Sequence, residues 1–459
     1  MILLLERAAA ASPGQTAVVT PEGSSSYGEL LEDAHRVGAA LLDRGLTRFA
    51  LVEPDVGWVI RILAGAALVG AEPCQYQADS AVADLEEAAA ALGHTAVVTR
   101  RDDLGVAFEV VRPDELTKAA PGRVPTVSET QPLVIRTTGT TGLPKAARHD
   151  WQTLARTVAA VRPTPDQRWL LAYGPHQFAG IQMLLHVVAS QSTLVAPFPR
   201  QPRDGLNALL NDQVTCVSAT PTYWRFLLAE ARGRKVELPS LRQVTLGGEA
   251  SSADLLNDLR AAFPDARVSQ VYASTEFGSM TSVTDGLPGI GVEALFSETN
   301  RASNLRFQEG QLWVRGGAGM LGYVGDAEVG PAGVGTDDWR PTGDLAEIVD
   351  GRLLFRGRDS EVINVGGVKV HPLPVENRIV ALPSVALARV FGRANKLTGA
   401  IVAAEVVPEG GIDHADVDAI RLEIKSAVAD LPRAWQPRSV AFVETLATKG
   451  DKTVRRMET

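Results

Sequence analysis

The sequence predicts an α/β protein built in two parts. The larger part is an N-terminal domain of parallel sheets flanked by helices, with a small β subdomain; the smaller is a mobile α+β C-terminal domain. Three observations support this. Short apolar runs alternate with amphipathic stretches through the first half. After about residue 285 the alternation gives way to hairpin-like pieces. Beyond Ser360 two strand-like runs precede a single helical stretch.

Taken in order, Met1–Leu5 is apolar but Glu6 and Arg7 interrupt it, so it reads as the first turns of a helix and not as a signal peptide. Strands are expected at Phe49–Val52, Thr95–Thr99, Leu133–Arg136, Trp169–Ala172, Leu194–Ala196, Thr215–Ser218, Val244–Leu246 and Val268–Tyr272. Apolar residues recur at helical spacing in Tyr27–Leu42, Ala81–Ala91, Trp151–Val161, Tyr223–Arg232 and Ser252–Phe263. The apolar stretch Val56–Val69 contains Arg61 and is too short to span a bilayer. Gly286, Pro288, Gly289 and Gly291 mark a loop, followed by strand-like Gln311–Arg315 and the hairpin Ala346–Phe355. Val385–Val390 and Ile401–Val407 read as strands and Val417–Ala427 as a helix. The expected division is a core over 1–358, with its β-rich subdomain at 285–358, and a C-terminal domain over 359–459.

A chain of 459 residues with a net charge of −9 repels phosphate backbones, which argues against broad nucleic-acid binding. Cys74 and Cys216 have no CxxC partner and sit in apolar strands, so core roles and a reducing cytoplasm are expected, with no membrane partner.

The most informative segment is Thr137-Thr138-Gly139-Thr140-Thr141-Gly142-Leu143-Pro144-Lys145, which follows an apolar strand. Its glycines let backbone approach a ligand closely, its N–H groups make an anion nest, and Lys145 adds a mobile positive charge. Its four threonine hydroxyls can meet phosphate oxygens or a metal-bound water. The spacing is not that of a Walker A loop, which disfavours a P-loop hydrolase or kinase.

This segment resembles the phosphate-loop signature of the adenylate-forming superfamily, which includes acyl-CoA synthetases, aryl-CoA ligases, adenylation domains and luciferase. Further segments resemble the family's other signatures, in the expected order. Gly247-Gly248-Glu249 is similar to the loop lining the adenine and acyl pockets. Tyr272-Ala273-Ser274-Thr275-Glu276 resembles a motif whose aromatic ring stacks on adenine, with Thr275 on the α-phosphate and Glu276 on Mg²⁺. The resemblance implies that Asp344 accepts from the ribose hydroxyls and that Arg358 is a second ribose or phosphate contact. It implies a hinge at Ser360 and a thiol tunnel at Gly366 and Gly367. It makes Lys452 the catalytic lysine, although Asp451 stands where the family usually has glycine.

Pro175–Gln182 resembles the stretch that gates the acid pocket, with His176 as the gate and Phe178, Ala179, Gly180 and Ile181 along an apolar cavity shared with Gly247. Amino-acid-activating relatives carry an Asp in this stretch; its absence argues against an α-amino acid and for an aryl or short acyl acid.

The implied activity is ATP-dependent conversion of a small carboxylic acid to acyl-AMP, then transfer to a thiol. Coenzyme A is the first acceptor and the phosphopantetheine of an acyl carrier protein the second, with ATP and Mg²⁺ required. A non-catalytic nucleotide sensor on the same fold is the alternative that Asp451 and Ser360 keep open.

Overall fold

The computed structural model describes residues 1–104, 108–118, 126–137, 145–295, 304–315, 319–325, 339–446, 448–449 and 452–453. Two large sheets with helices packed between and outside them form the N-terminal part. The first has eight strands in the order Gly278–Val283, Arg267–Ser274, Gln243–Gly247, Cys216–Ala219, Arg168–Leu171, Thr193–Val195, Thr16–Thr20 and Gly23–Ser26. Its interior pairs are parallel, and each edge is closed by an antiparallel hairpin. The second has seven strands, and its centre, Pro132–Arg136, Glu72–Gln75, Arg48–Val52 and Ala96–Thr99, is parallel.

Local chemistry sets the helices between these sheets. Ser26 and Glu29 form a capping box ahead of Tyr27–Asp43, and the buried Tyr27 hydroxyl donates to the Ser192 carbonyl at 2.7 Å. Asp55 caps Val56–Val69, and Gly70 ends it in the left-handed conformation at φ 74°. That helix is apolar all round because it is enclosed, and its Arg61 pairs with Asp33 at 2.7 Å. A second core packs Pro202–Asn211, Pro221–Arg234 and Ala253–Ala262 on the outer face of the first sheet.

The subdomain is a five-stranded antiparallel sheet ordered Ile290–Gly291, Arg352–Arg358, Trp339–Val349, Gln311–Arg315 and Leu305–Gln308. Its main hairpin turns at Asp350-Gly351, both at positive φ. Beyond Ser360 a separate core gathers residues only from Ile363 onward, around the long pair Val385–Asn395 and Gly399–Pro408 and the helices Pro372–Val380 and Val417–Ala427. It meets the larger part where Leu387, Val407 and Leu446 pack on Phe226, and where Arg232 reaches Glu409 at 3.4 Å.

Most expected elements form within one or two residues of their expected ends. One expectation needs correction. Trp151–Val161 is helical only over Trp151–Ala155, continued by a 3-10 turn over Arg156–Val158. The stretch after Gln177, where the sequence led us to expect no particular element, is a 13-residue helix, Phe178–Ser190. No helix among the described residues is long and apolar enough to cross a membrane.

Candidate active site

A cavity of about 1650 Å³ opens at the carboxyl ends of the parallel strands, where loops gather in such sheets. One pole is polar. The Tyr272 hydroxyl donates to Asp344 Oδ2 at 2.5 Å, and Arg358 Nε lies 3.2 Å from Asp344 Oδ1. These two residues come together because the subdomain strands Trp339–Val349 and Arg352–Arg358 pair with Asp344 opposite Arg358. Burial first, then the Asp344 charge, push the Tyr272 phenol well above its ordinary pKa, so it remains a donor. The Tyr272 ring packs on Phe355 with centroids 5.0 Å apart and planes tilted by 42°, leaving an aromatic wall beside a carboxylate.

Across the same cavity, Glu276 and Thr275 stand in the turn joining Arg267–Ser274 to Gly278–Val283, a hairpin and not a helix cap. Tyr323 links two expected ligand groups. Its hydroxyl donates to Glu276 Oε1 at 3.3 Å, and the Lys145 ammonium lies 4.9 Å from its ring centroid. Thr137 N donates to the Lys145 carbonyl at 2.7 Å, which clasps the two ends of the phosphate loop. Thr138, Gly139, Thr140, Thr141 and Gly142 lie outside the described residues. The flanking strands Pro132–Arg136 and Ala146–Asp150 are antiparallel, so this loop connects a hairpin, unlike the strand-to-helix Walker loop.

Gly247, Gly248 and Glu249 line the cavity, and Gly248 takes φ 86°, a conformation that favours glycine. Glu249 Oε2 accepts from Thr222 N at 3.0 Å and from Thr222 Oγ1 at 2.7 Å, which ties this loop to the start of the helix Pro221–Arg234. Ser360 also lines the cavity.

The expected acid-pocket set divides in two. Phe178 and Ala179 line the cavity, but the helix turns Gly180 and Ile181 away: Ile181 is buried in the core. Helical periodicity instead brings Gln182, Met183 and His186 into the wall. Gly180 is needed for packing, since a Cβ there would stand 2.1 Å from the Gly174 carbonyl oxygen. His176 is half-buried against Gly174 and is not among the residues lining the cavity. Burial, Arg200 and Arg136 pull its pKa down to about 4.

Gly366 and Gly367 form the exposed turn of the hairpin Ile363–Val365/Val368–Val370, at φ 59° and 89°, and do not line the cavity. Lys452 lies in a short ladder between Thr448–Lys449 and Lys452–Thr453; its side chain and Asp451 are outside the described residues.

Tyr323, Phe355, Gln182 and His186 were not expected as site residues. The helical spacing from Phe178 would have revealed Gln182 and His186. Tyr323 arrives only because Gly322–Tyr323 pairs with Ala146–Asp150 in space, and no local pattern announces that.

The donor set fits a nucleotide. An aromatic wall, a carboxylate beside a guanidinium and a lysine at a hydroxyl-rich loop match an adenine, a ribose and a polyphosphate. No cluster of three or more His, Cys, Asp or Glu suited to a metal occurs among the described residues. A divalent ion held by Glu276 would take its remaining ligands from phosphate oxygens and water.

Residues 5–324 match the family described as AMP-binding enzyme, and residues 374–451 match the AMP-binding enzyme C-terminal domain. A methyl-dioxo-octahydroindenyl-propanoyl:CoA ligase of Mycobacterium tuberculosis is 27% identical over 96% of this chain and 94% of that protein. A feruloyl-CoA synthase of Amycolatopsis sp is 28% identical over 71% of this chain and 68% of its own. The o-succinylbenzoate CoA synthetase of Bacillus subtilis, solved with its acyl-adenylate intermediate, superimposes with a TM-score of 0.78 at 20% identity, covering 99% of this chain and 97% of that one. The chain belongs to the AMP-binding enzyme family, the adenylate-forming superfamily, and is an AMP-forming acid–thiol ligase.

Proposed function

We propose that this enzyme activates a small aryl or short acyl carboxylic acid as its acyl-AMP and passes the acyl group to the thiol of coenzyme A. The observation behind this reading is the convergence of Tyr272, Asp344 and Arg358 with Lys145, Tyr323 and Glu276 on one cavity.

In the first step a carboxylate oxygen attacks the α-phosphorus of ATP and pyrophosphate leaves. Asp344 accepts from the ribose hydroxyls and Arg358 holds Asp344 in place. Tyr272 and Phe355 hold the adenine. Thr137–Lys145 takes the outer phosphates, Thr275 the α-phosphate, and Glu276 the magnesium that arrives with them. Magnesium, when bound, supplies charge neutralisation at the phosphates. The chain's contribution is positioning and electrostatics and not proton transfer.

Lys452, delivered by the C-terminal domain over 359–459, offsets the crowding of negative charge at the α-phosphate. The domain then turns about Ser360, withdrawing Lys452 and bringing Gly366–Gly367 to the acceptor path. The thiol sulfur attacks the acyl carbon, AMP departs, and the thiol proton passes to solvent.

Pyrophosphate release across a panel of aryl and short acyl acids, with and without coenzyme A, tests the reading. Acid-dependent release supports it; ATP cleavage to ADP, or silence with every acid, contradicts it. For the hinge, Lys452→Ala is expected to abolish adenylation and spare thiolysis of synthetic acyl-AMP. Equal loss of both would contradict the division of labour.

A further inference from the structure

Away from the nucleotide pole, the cavity wall keeps a polar character that the chemistry at phosphorus does not use. Along the strand Gln243–Gly247, Val244 and Leu246 face the core while Gln243 and Thr245 face the cavity. Parallel register sets Ser269 beside Thr245 and puts Trp169, Cys216 and Gln243 in one row across three strands. Gln243 Nε2 donates to Ser269 Oγ at 2.8 Å and to Thr245 Oγ1 at 3.0 Å. The other end of this amide has no hydrogen bond among the described residues; it offers a carbonyl oxygen, or an N–H if the amide is turned over.

The helix Phe178–Ser190 adds Gln182 and His186, one turn apart on the cavity side. Gln182 Oε1 accepts from Thr157 Oγ1 at 2.8 Å, while its Nε2 is buried with no partner. The His186 ring stands edge-on to Trp169 with centroids 4.8 Å apart, and neither ring nitrogen has a hydrogen-bond partner among the described residues. Burial lowers its pKa to about 4, so at neutral pH it is an uncharged donor and acceptor. Val158, Val161 and Met183 complete the wall. Arg267, next along the row after Gln243, also lines the cavity, but it is exposed and its charge is screened by solvent. Of these groups Gln182 Nε2 is the one buried without a partner, which is costly, and a ligand group that reaches it can also meet the half-buried His186 and Gln243.

We infer that the acid carries an uncharged hydrogen-bonding group, a hydroxyl or a carbonyl, at the end remote from its carboxylate, received by Gln182, His186 and Gln243. This inference rests on the acid-activation reading above. Gln243 stands four residues before Gly247, about 13 Å along the strand, so the acid spans roughly a ring and a short spacer.

The test measures kcat/KM for acid-dependent AMP formation by the full-length enzyme with three acids sharing one ring and spacer. One is unsubstituted, one carries a distal hydroxyl or carbonyl, and one a distal carboxylate. The hydroxyl or carbonyl acid is expected to exceed the other two by about tenfold or more. In His186→Phe and Gln243→Leu that ratio is expected to fall to about threefold or less. Equal turnover of the three acids, or preference for the unsubstituted or the carboxylate acid, overturns this inference and leaves the acid-activation reading standing. No AMP formation with any acid, across the wider panel as well, overturns the underlying reading and this inference with it.

Discussion

Removing the Asp344 carboxylate gives a quantitative test of the nucleotide pole. The side chain is 13% exposed and holds two partners, Tyr272 at 2.5 Å and Arg358 at 3.2 Å. A carboxylate has about four lone-pair sites, so two remain for ribose hydroxyls. Hydrogen bonds to a charged group contribute about 1.5–3 kcal/mol each. Losing even one of them corresponds to about 1.5–3 kcal/mol, so kcat/KM for ATP in Asp344→Ala is expected to fall at least roughly 10- to 150-fold. Asp344→Asn keeps one acceptor and loses the ion pair, and an intermediate loss is expected. The assay is pyrophosphate exchange at saturating acid, with thermal unfolding run alongside to separate binding from folding. With 2′-deoxy-ATP the difference between wild type and variant is expected to shrink. An Asp344→Ala enzyme that folds and stays within threefold of wild type would refute the ribose assignment.

Three further outcomes are expected. Tyr323→Phe removes the hydroxyl bonded to Glu276 but keeps the ring beside Lys145; kcat/KM for MgATP is expected to fall about fivefold with little change in KM for the acid, and an unchanged value would contradict the link. Gly180→Ala forces a Cβ to 2.1 Å from the Gly174 carbonyl oxygen, so urea unfolding is expected to show a loss of about 1–3 kcal/mol; wild-type stability would contradict the close approach. His94 and His149 are buried, with pKa values pulled down to about 4 by burial, first and foremost, in each case. The unfolded chain then binds more protons between about pH 6.5 and 4, so stability is expected to decline as pH falls through that window, by up to about 1.4 kcal/mol per pH unit for each histidine. Urea titrations at pH 7, 6 and 5 check this, and a slope in His149→Phe as steep as in wild type would exclude His149 as a source.

The fold was legible because its strands and helices carry their own periodicity. The helix expected over Tyr223–Arg232 begins two residues earlier, at Pro221, and the hairpin expected around Ala346–Phe355 turns at Asp350-Gly351. The nucleotide pole was legible residue by residue, since Asp344, Arg358, Tyr272 and Glu276 occur in recognisable local runs. The acid pocket was read less well. The resemblance marks a contiguous stretch, whereas a helix presents only one side, so Gly180 and Ile181 give way to Gln182 and His186. Tyr323 and Phe355 were invisible locally because strand pairing in space, with Ala147 and with Ala346, places them. The row from Trp169 to Gln243 depends on register across three strands, which no local pattern records.

The central claim, direct attack of the acid on the α-phosphorus, can be followed with oxygen. The enzyme is given a preferred acid labelled with ¹⁸O in its carboxylate, with ATP, magnesium and coenzyme A, and the nucleotide product is analysed by mass spectrometry. One labelled oxygen in the phosphate of AMP is predicted, because the attacking oxygen stays on phosphorus when the thiol takes the acyl carbon. Unlabelled AMP, or label recovered in inorganic phosphate beside ADP, would contradict the account.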